Sequence, residues 1–327
     1  MESLKENKVL VSGASIAGLS TAYWLNRIGY KVTVVEMADA PRVGGTAVDF
    51  RGPAVDVVKR MGIFEQLRSN ALKLEMIEFK NADDVTENVI MLNKDKEGQT
   101  GDEIEIERTR LINTLFNKIK DDVEFIFSDS ITALNETTGD VAVTFKNGAG
   151  RSFNLVIGCD GTHSNVRKIW FGKETEYMHF LEAYFSISIV DKSLIKPHTM
   201  QFYNVPGKAY MLNAYKNKTD IVFCFLSEKE ISYDYRDIGQ QKKIVSDQFA
   251  GQGWKTAALS EEVKNSENFY FDKFCQIKMP SWTKGRVALV GDAAYCASPA
   301  AGMGGSLAVQ GAAALAEALE KHHGNFD

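Results

Sequence analysis

The residues best suited to chemistry in this chain are small ones near its start. Gly13, Ser15 and Gly18 follow the apolar run Val9 to Val11, and Leu19, Ala22, Tyr23 and Leu25 then recur at helical spacing. A buried strand, a tight turn and a helix start in that order aim backbone N–H groups at a pyrophosphate. Lys31 to Val35 reads as a second strand ending in Glu36, 18 residues past Gly18. That is close to the ~20 residues separating the glycines from an acid that binds a ribose hydroxyl. Ser15 stands where the usual pattern has a third glycine. An ordinary glycine turn with a solvated glutamate is the plainer reading; the pair in register favours a dinucleotide.

Two later segments repeat the layout. Phe153 to Ile157 is an apolar strand that ends in Gly158-Cys159-Asp160-Gly161, followed by small polar residues and a helix start near Arg167. Val287 to Val290 runs into Gly291-Asp292, a loop with Pro299, and a turn with Gly302 and Gly304 that opens a helix from about Ser306 to Glu320. An aspartate just past a strand end is placed for a hydroxyl, the ligand edge of a doubly wound sheet. Arg42, Asp49 and Arg51 surround Gly44-Gly45, a loop that can line a ribose or phosphate site or simply carry solvated charges. Arg108 opens a helical run through Leu111, Leu115, Phe116 and Ile119, where a cation opposes the helix dipole. That mismatch favours a ligand or a carboxylate partner for Arg108.

These segments need a scaffold. Glu75–Lys80, Val89–Leu92 and Glu103–Glu107 look like antiparallel strands leaving the nucleotide-binding sheet, and Val123–Phe127, Ile131–Leu134 and Val141–Phe145 like a small meander with a turn at Asn147-Gly148. Between residues 172 and 279 aromatic and β-branched residues alternate with polar ones, as in Tyr184–Ile189, Met200–Tyr203, Tyr210–Leu212 and Ile221–Phe225, before a helical stretch from Gln240 to Phe249. Such alternation fits an antiparallel sheet with one covered face. The expected fold class is α/β, a Rossmann-like domain with a second antiparallel-sheet domain.

At 327 residues the chain is long enough for one large or two medium domains. A net charge of −5 gives no electrostatic reason to expect nucleic acid or an anionic membrane. No signal peptide is visible, and no apolar run approaches the ~20 residues of a membrane span. The four cysteines are scattered without a CxxC pair, which argues against zinc and against a disulfide framework. The expected location is the cytoplasm, the expected state a monomer or homodimer.

Four motifs stand in one order: Gly13-x-Ser15-x-x-Gly18 with Glu36, Arg108-x-x-Leu111, Cys159-Asp160-Gly161 through Arg167, and Gly291-Asp292-Ala293-Ala294 with Pro299 and Gly302. That series closely resembles the single-component FAD-dependent aromatic hydroxylases of the p-hydroxybenzoate hydroxylase class, which includes the tetracycline-inactivating monooxygenases. The resemblance implies a discontinuous FAD-binding domain (1–73, 102–171 and 280–327) and a substrate domain (74–101 and 172–279). It further implies helices bracing the two domains that lie beyond these residues. Gly13, Ser15 and Gly18 would flank the pyrophosphate, Glu36 hold the adenosine ribose, and Arg108 contact FAD. Asp160 and Gly161 resemble a fingerprint linked to pyrophosphate and nicotinamide use, and Asp292 the aspartate on the ribityl hydroxyls. Pro299, Gly302 and Gly304 resemble the loop beside the isoalloxazine ring. Arg42 and Asp49 fall where the tetracycline-inactivating branch has an arginine linked to NADPH and an aspartate near the flavin.

The implied activity is a monooxygenase: NAD(P)H reduces FAD, O₂ gives a flavin hydroperoxide, and a small aromatic or polycyclic compound is hydroxylated. No protein nucleophile or metal is required, so His163 reads as structural rather than as a general base. Tyr295 stands where the family often has histidine, and Gly311 where an aspartate is common. A reductase or dehydrogenase on the same scaffold, and a non-catalytic flavin-binding protein, are the alternatives.

Overall fold

The alternating pattern of the chain sorts into four sheets. The structure, a computed structural model, describes residues 7–41, 44–92 and 102–322. The chain opens with β1 (Lys8–Ser12), α1 (Ile16–Arg27), β2 (Lys31–Val35), β3 (Val48–Phe50), α2 (Pro53–Arg60) and α3 (Phe64–Ser69). It continues with β4 (Met76–Lys80), β5 (Thr86–Met91), β6 (Ile104–Ile106), α4 (Arg108–Ile119), β7 (Glu124–Ile126), β8 (Ile131–Glu136), β9 (Val141–Phe145), β10 (Arg151–Phe153), β11 (Leu155–Gly158) and α5 (Asn165–Trp170). Then come β12 (Met178–Val190), β13 (Thr199–Val205), β14 (Lys208–Tyr215), β15 (Lys218–Leu226), α6 (Ile238–Phe249), α7 (Thr256–Asn265) and β16 (Asn268–Ile277). The last elements are β17 (Thr283–Lys284), β18 (Val287–Leu289), α8 (Asp292–Tyr295) and α9 (Gly304–Lys321).

The first sheet has the order β17-β18-β11-β1-β2-β7 and is parallel except for the edge strand β17. Parallel strands are covered on both faces, which is why β1 and β11 are almost wholly apolar and buried. Helices α1 and α9 cross each other on one side of it. The carboxyl ends of β1, β2, β11 and β18 therefore open on one edge, where Ser12, Val35, Gly158 and Leu289 end their strands.

The second large sheet runs β16-β12-β15-β14-β13-β4-β5, antiparallel except where β4 lies parallel to β13. Its period-2 alternation gives it two faces. Tyr184, Tyr210, Leu212, Phe223 and Phe271 pack under α6 and α7 against Val245, Phe249, Leu259 and Val263. The opposite face carries Phe79, Ile187, Met200, Phe202, Met211, Cys224 and Asp272 toward the parallel sheet; all of these but Asp272 are only partly buried.

Three expectations are corrected here. Residues 124–126 leave the meander and join the parallel sheet, Val34 pairing with Phe125 beyond β2; the small antiparallel sheet is β8-β9-β10. Residues 104–106 do not continue the excursion of β4 and β5 but pair with β3, Asp49 opposite Glu105. The region 172–279 contains a second helix, α7, beyond the one read near Gln240. In each case the strand partner or helix is fixed by packing far along the chain, which local pattern does not encode.

Tyr295 and Gly311 form one packing unit. A β-carbon at Gly311 of α9 would overlap the Tyr295 hydroxyl, so the larger ring at 295 needs the glycine at 311. Among the described residues that buried hydroxyl has no hydrogen-bond partner within 3.5 Å. Gly311→Ala is expected to destabilise the fold by ~1–3 kcal/mol through overpacking. Adding Tyr295→Phe should recover part of that loss, read as the urea midpoint of the single and double variants.

Candidate functional site

The turn after β1 is closed by contact. Gly13 has φ +104°, its N–H donates to the Val35 carbonyl at 2.8 Å, and a β-carbon there would lie 2.6 Å from the Cys159 carbonyl oxygen. A side chain on Gly18 would collide with the Gly13 carbonyl. Both glycines are steric requirements, and they let α1 start directly behind the strand end.

Ser15 is the residue before α1, and its hydroxyl caps no helical N–H. It accepts instead a hydrogen bond from the Arg108 guanidinium at 2.9 Å. Arg108 opens α4 and its stem passes over Gly45, where a β-carbon would stand 3.1 Å from its Cδ. A guanidinium thus sits at the N-termini of two helices, opposing both dipoles. The Asp292 carboxyl faces it and is drawn down by that charge, although burial outweighs this and raises its pKa. Asp292 in turn lies 3.8 Å from the β-carbon position of Gly304, at the start of α9. An extra cation between helix N-termini is an anion-binding arrangement.

Glu36 closes the other side. Its carboxylate accepts from the Ala14 N–H at 2.7 Å and the Ala38 N–H at 3.0 Å, which turns it back over the glycine loop. Arg42 lies outside the described residues. Asp49 is on β3 beside Arg51, 3.5 Å away, and burial raises its carboxyl. Its backbone carbonyl receives the buried Ser306 hydroxyl at 2.8 Å, which fixes α9 to β3.

Asp160 has a local task. It accepts the Ser164 hydroxyl, the Asn165 N–H at 2.9 Å and the Val166 N–H at 3.0 Å, organising the start of α5. Gly161, φ +82°, has open space where a side chain would project. Arg167, wholly buried, donates to the carbonyls of Thr162 at 2.6 Å and Ala293 at 2.9 Å, so the loop after β11 is tied to α8. Pro299 begins a 3₁₀ turn closed by Gly302 at φ +63°, again with open space beside it, and both are exposed. The structure therefore brings Gly13, Ser15, Gly18, Glu36, Arg108, Asp160, Gly161, Asp292, Gly302 and Gly304 to the carboxyl edge of one parallel sheet. Sequence reasoning missed Ser306, Glu105 and the linking role of Arg167. A hydroxyl in a glycine-rich helix start was the available signal for Ser306.

A model of the FAD binding domain family matches residues 6–324, nearly the whole chain. The chain belongs to this FAD-binding monooxygenase family. A flavin-dependent monooxygenase of Legionella longbeachae is 35% identical over 329 residues, covering 98% of this chain and 82% of the relative. The crystal structure of tetracycline destructase Tet(51) superposes with a TM-score of 0.87 at 36% identity, over 98% of this chain and 83% of that one. HpxO of Klebsiella pneumoniae, solved with FAD and uric acid, shares the fold at 20% identity with a TM-score of 0.78, over 97% of this chain and 81% of that one. The protein is an FAD-dependent oxidoreductase using NAD(P)H and O₂ on a small molecule. FAD fits this edge: the glycine turn has no side chain in the way, a cation stands between two helix N-termini, and a half-buried carboxyl lies farther along. Among the described residues no helix is long and apolar enough to cross a membrane.

Glu105 gives the site a pH signature. Burial, then the charge of Asp49 opposite, push its carboxyl up to about 7. The folded state holds this proton more tightly than the unfolded chain, so stability falls as pH rises from about 4.5 to 7 and stays low above. Glu105→Gln should raise Tm at pH 8 by a few degrees, ~1 kcal/mol, and leave it unchanged at pH 4. Thermal melts at the two pH values check this.

Proposed function

We propose that the chain holds FAD along the carboxyl edge of the parallel sheet and oxygenates a planar, polycyclic compound beneath the seven-stranded sheet. The single observation that carries the reading is the Arg108–Ser15 contact facing Asp292, which sets a cation and a half-buried carboxyl beside the glycine turn. Gly13, Ser15 and Gly18 flank the pyrophosphate, with Arg108 across it. Glu36 takes the adenosine ribose by exchanging its Ala14 and Ala38 bonds for sugar hydroxyls. Asp292 takes the ribityl hydroxyls, and Pro299, Gly302 and Gly304 border the ring with Asp49 nearby. Arg42 serves the visiting nicotinamide cofactor. Residues 1–73, 102–171 and 280–327 form the cofactor domain, 74–101 and 172–279 the substrate domain.

FAD supplies the transfer of electrons from NAD(P)H to O₂. The protein contributes position and exclusion of water. N–H groups at the start of α9 favour negative charge on a neighbouring ring. The half-buried apolar face of the large sheet, with Phe79 stacked on Phe202 at a centroid distance of 5.7 Å, offers flat contact to an aromatic substrate while keeping water out. The resemblance to Tet(51) and Tet(55) makes tetracyclines the first substrates to try. Four unpaired cysteines, three of them buried, support a reducing compartment such as the cytoplasm.

The purified chain, reconstituted with FAD, is expected to consume NAD(P)H and O₂ faster with tetracyclines or polycyclic phenols than without, giving a product heavier by one oxygen atom. A chain that retains no flavin, or NAD(P)H use without oxygenated product from any of these compounds, overturns the reading. Asp292→Ala should lose most of its flavin on purification, seen in the visible absorbance per protein. Glu36→Ala should weaken FAD by ~1–3 kcal/mol, the scale of hydrogen bonds left unmade, measured by fluorescence titration.

A further inference from the structure

His163 lies two residues beyond Gly161 and is not used by the chemistry above. Its Nδ1 is 2.8 Å from Glu174 Oε1, and its Nε2 is 3.2 Å from Asp272 Oδ2. An ionised carboxylate only accepts hydrogen bonds, so a ring bonded to one on each side carries both protons and a positive charge. Asp272 is 6% exposed, stands on β16 on the ligand-facing side of the large sheet, and also accepts the Tyr270 hydroxyl at 2.7 Å and the Lys273 N–H at 2.8 Å. Glu174 belongs to the 3₁₀ turn between α5 and β12 and also binds Lys168 of α5. The charges of Glu174 and Asp160 act in turn on Arg167 of α5, while the Lys273 ammonium pairs with Glu230. One imidazolium therefore joins the Asp160–Gly161 loop to a strand of the other sheet.

We propose that protonated His163 is a positioning residue that clamps the Asp160–Gly161 loop to β16, so that the loop's hold on FAD weakens when the ring loses its charge. This rests on the reading that Gly161 borders FAD. The inference is not that His163 touches substrate; it acts through the loop. The hydrogen bonds to Asp272 and then Glu174 push the His163 pKa up to about 9, against burial. Because that value is raised above the unfolded one, the stability the clamp adds is full below about pH 6.5, while the ring in the folded protein keeps its charge to about pH 8 and loses it as pH rises through about 9.

The test is FAD release from the holoenzyme, followed by recovery of flavin fluorescence from pH 6 to 10.5. The wild-type dissociation constant is expected to stay flat to about pH 8 and then to rise about tenfold, a typical coupling between linked sites. His163→Gln should bind FAD more weakly at neutral pH and lack the alkaline rise. Asp272→Asn should move the rise toward neutral pH. Wild-type affinity and an unchanged alkaline rise in His163→Gln overturn the clamp. If that variant does not fold, 1 M salt on the wild-type protein decides: the half-exposed ring should titrate at lower pH, and an unmoved rise counts against the proposal. Gly161→Ala separates the two readings. If it leaves FAD affinity intact, the loop does not border FAD and both readings fail. If it weakens FAD while His163→Gln does not, only the clamp fails.

Discussion

The contact between Gly18 and the Gly13 carbonyl, beneath Cys159, is the constraint on which the cofactor edge depends. It sets the distance from the end of β1 to the first turn of α1, and so fixes where the helix N-terminus points. Cys159 shares the contact from the neighbouring strand, so the loop after β11 is placed by the same three residues. Any β-carbon there would push two strands and a helix apart at once. The remaining ligand-facing groups are hung on this joint: Ser15 leaves it to reach Arg108, and Glu36 folds back onto Ala14 within it.

Electrostatics then follow from packing. Arg108 is in a position a helix disfavours; a serine hydroxyl binds it there and the charge of a half-buried aspartate favours it. A glycine at position 15 would leave that guanidinium one fewer oxygen to bind. The serine that departs from the usual glycine pattern is thus tied into the site. Tyr295 and Gly311 make a similar point: the ring at 295 occupies the space a side chain at 311 would need.

Much of this was legible in the sequence because the motifs are local. Val9–Val11, Glu36, Asp160-Gly161 and Gly291-Asp292 carry their strand-turn-helix context within a dozen residues, and the parallel sheet follows from them. What was not legible lies in long-range pairing. Nothing near Phe125 says that it will lie beside Val34 instead of in a meander, and nothing near Glu105 says that Asp49 will face it. The alternation of residues 268–277 matches many edge strands, so Asp272 could not be matched to His163 before the sheet was known. The Asp160 carboxylate also organises the start of α5, and Gly161 beside it has open space where a side chain would project.

The hairpin of β4 and β5 has a consequence for how the protein is made. Met76 to Lys80 pair with β5 on one edge, but their other neighbour is Thr199 to Tyr203, far along the chain. At ordinary synthesis rates the nascent chain waits on the order of ten seconds between the two. Through that interval β4 has one bare edge, and Val89, Ile90 and Met91 of β5 are exposed even in the finished fold. The ribosome therefore releases a sticky two-stranded ribbon well before the sheet that shelters it exists. A holding chaperone, or slow translation matched to the arrival of β13, suits this order of assembly better than rapid unaided folding.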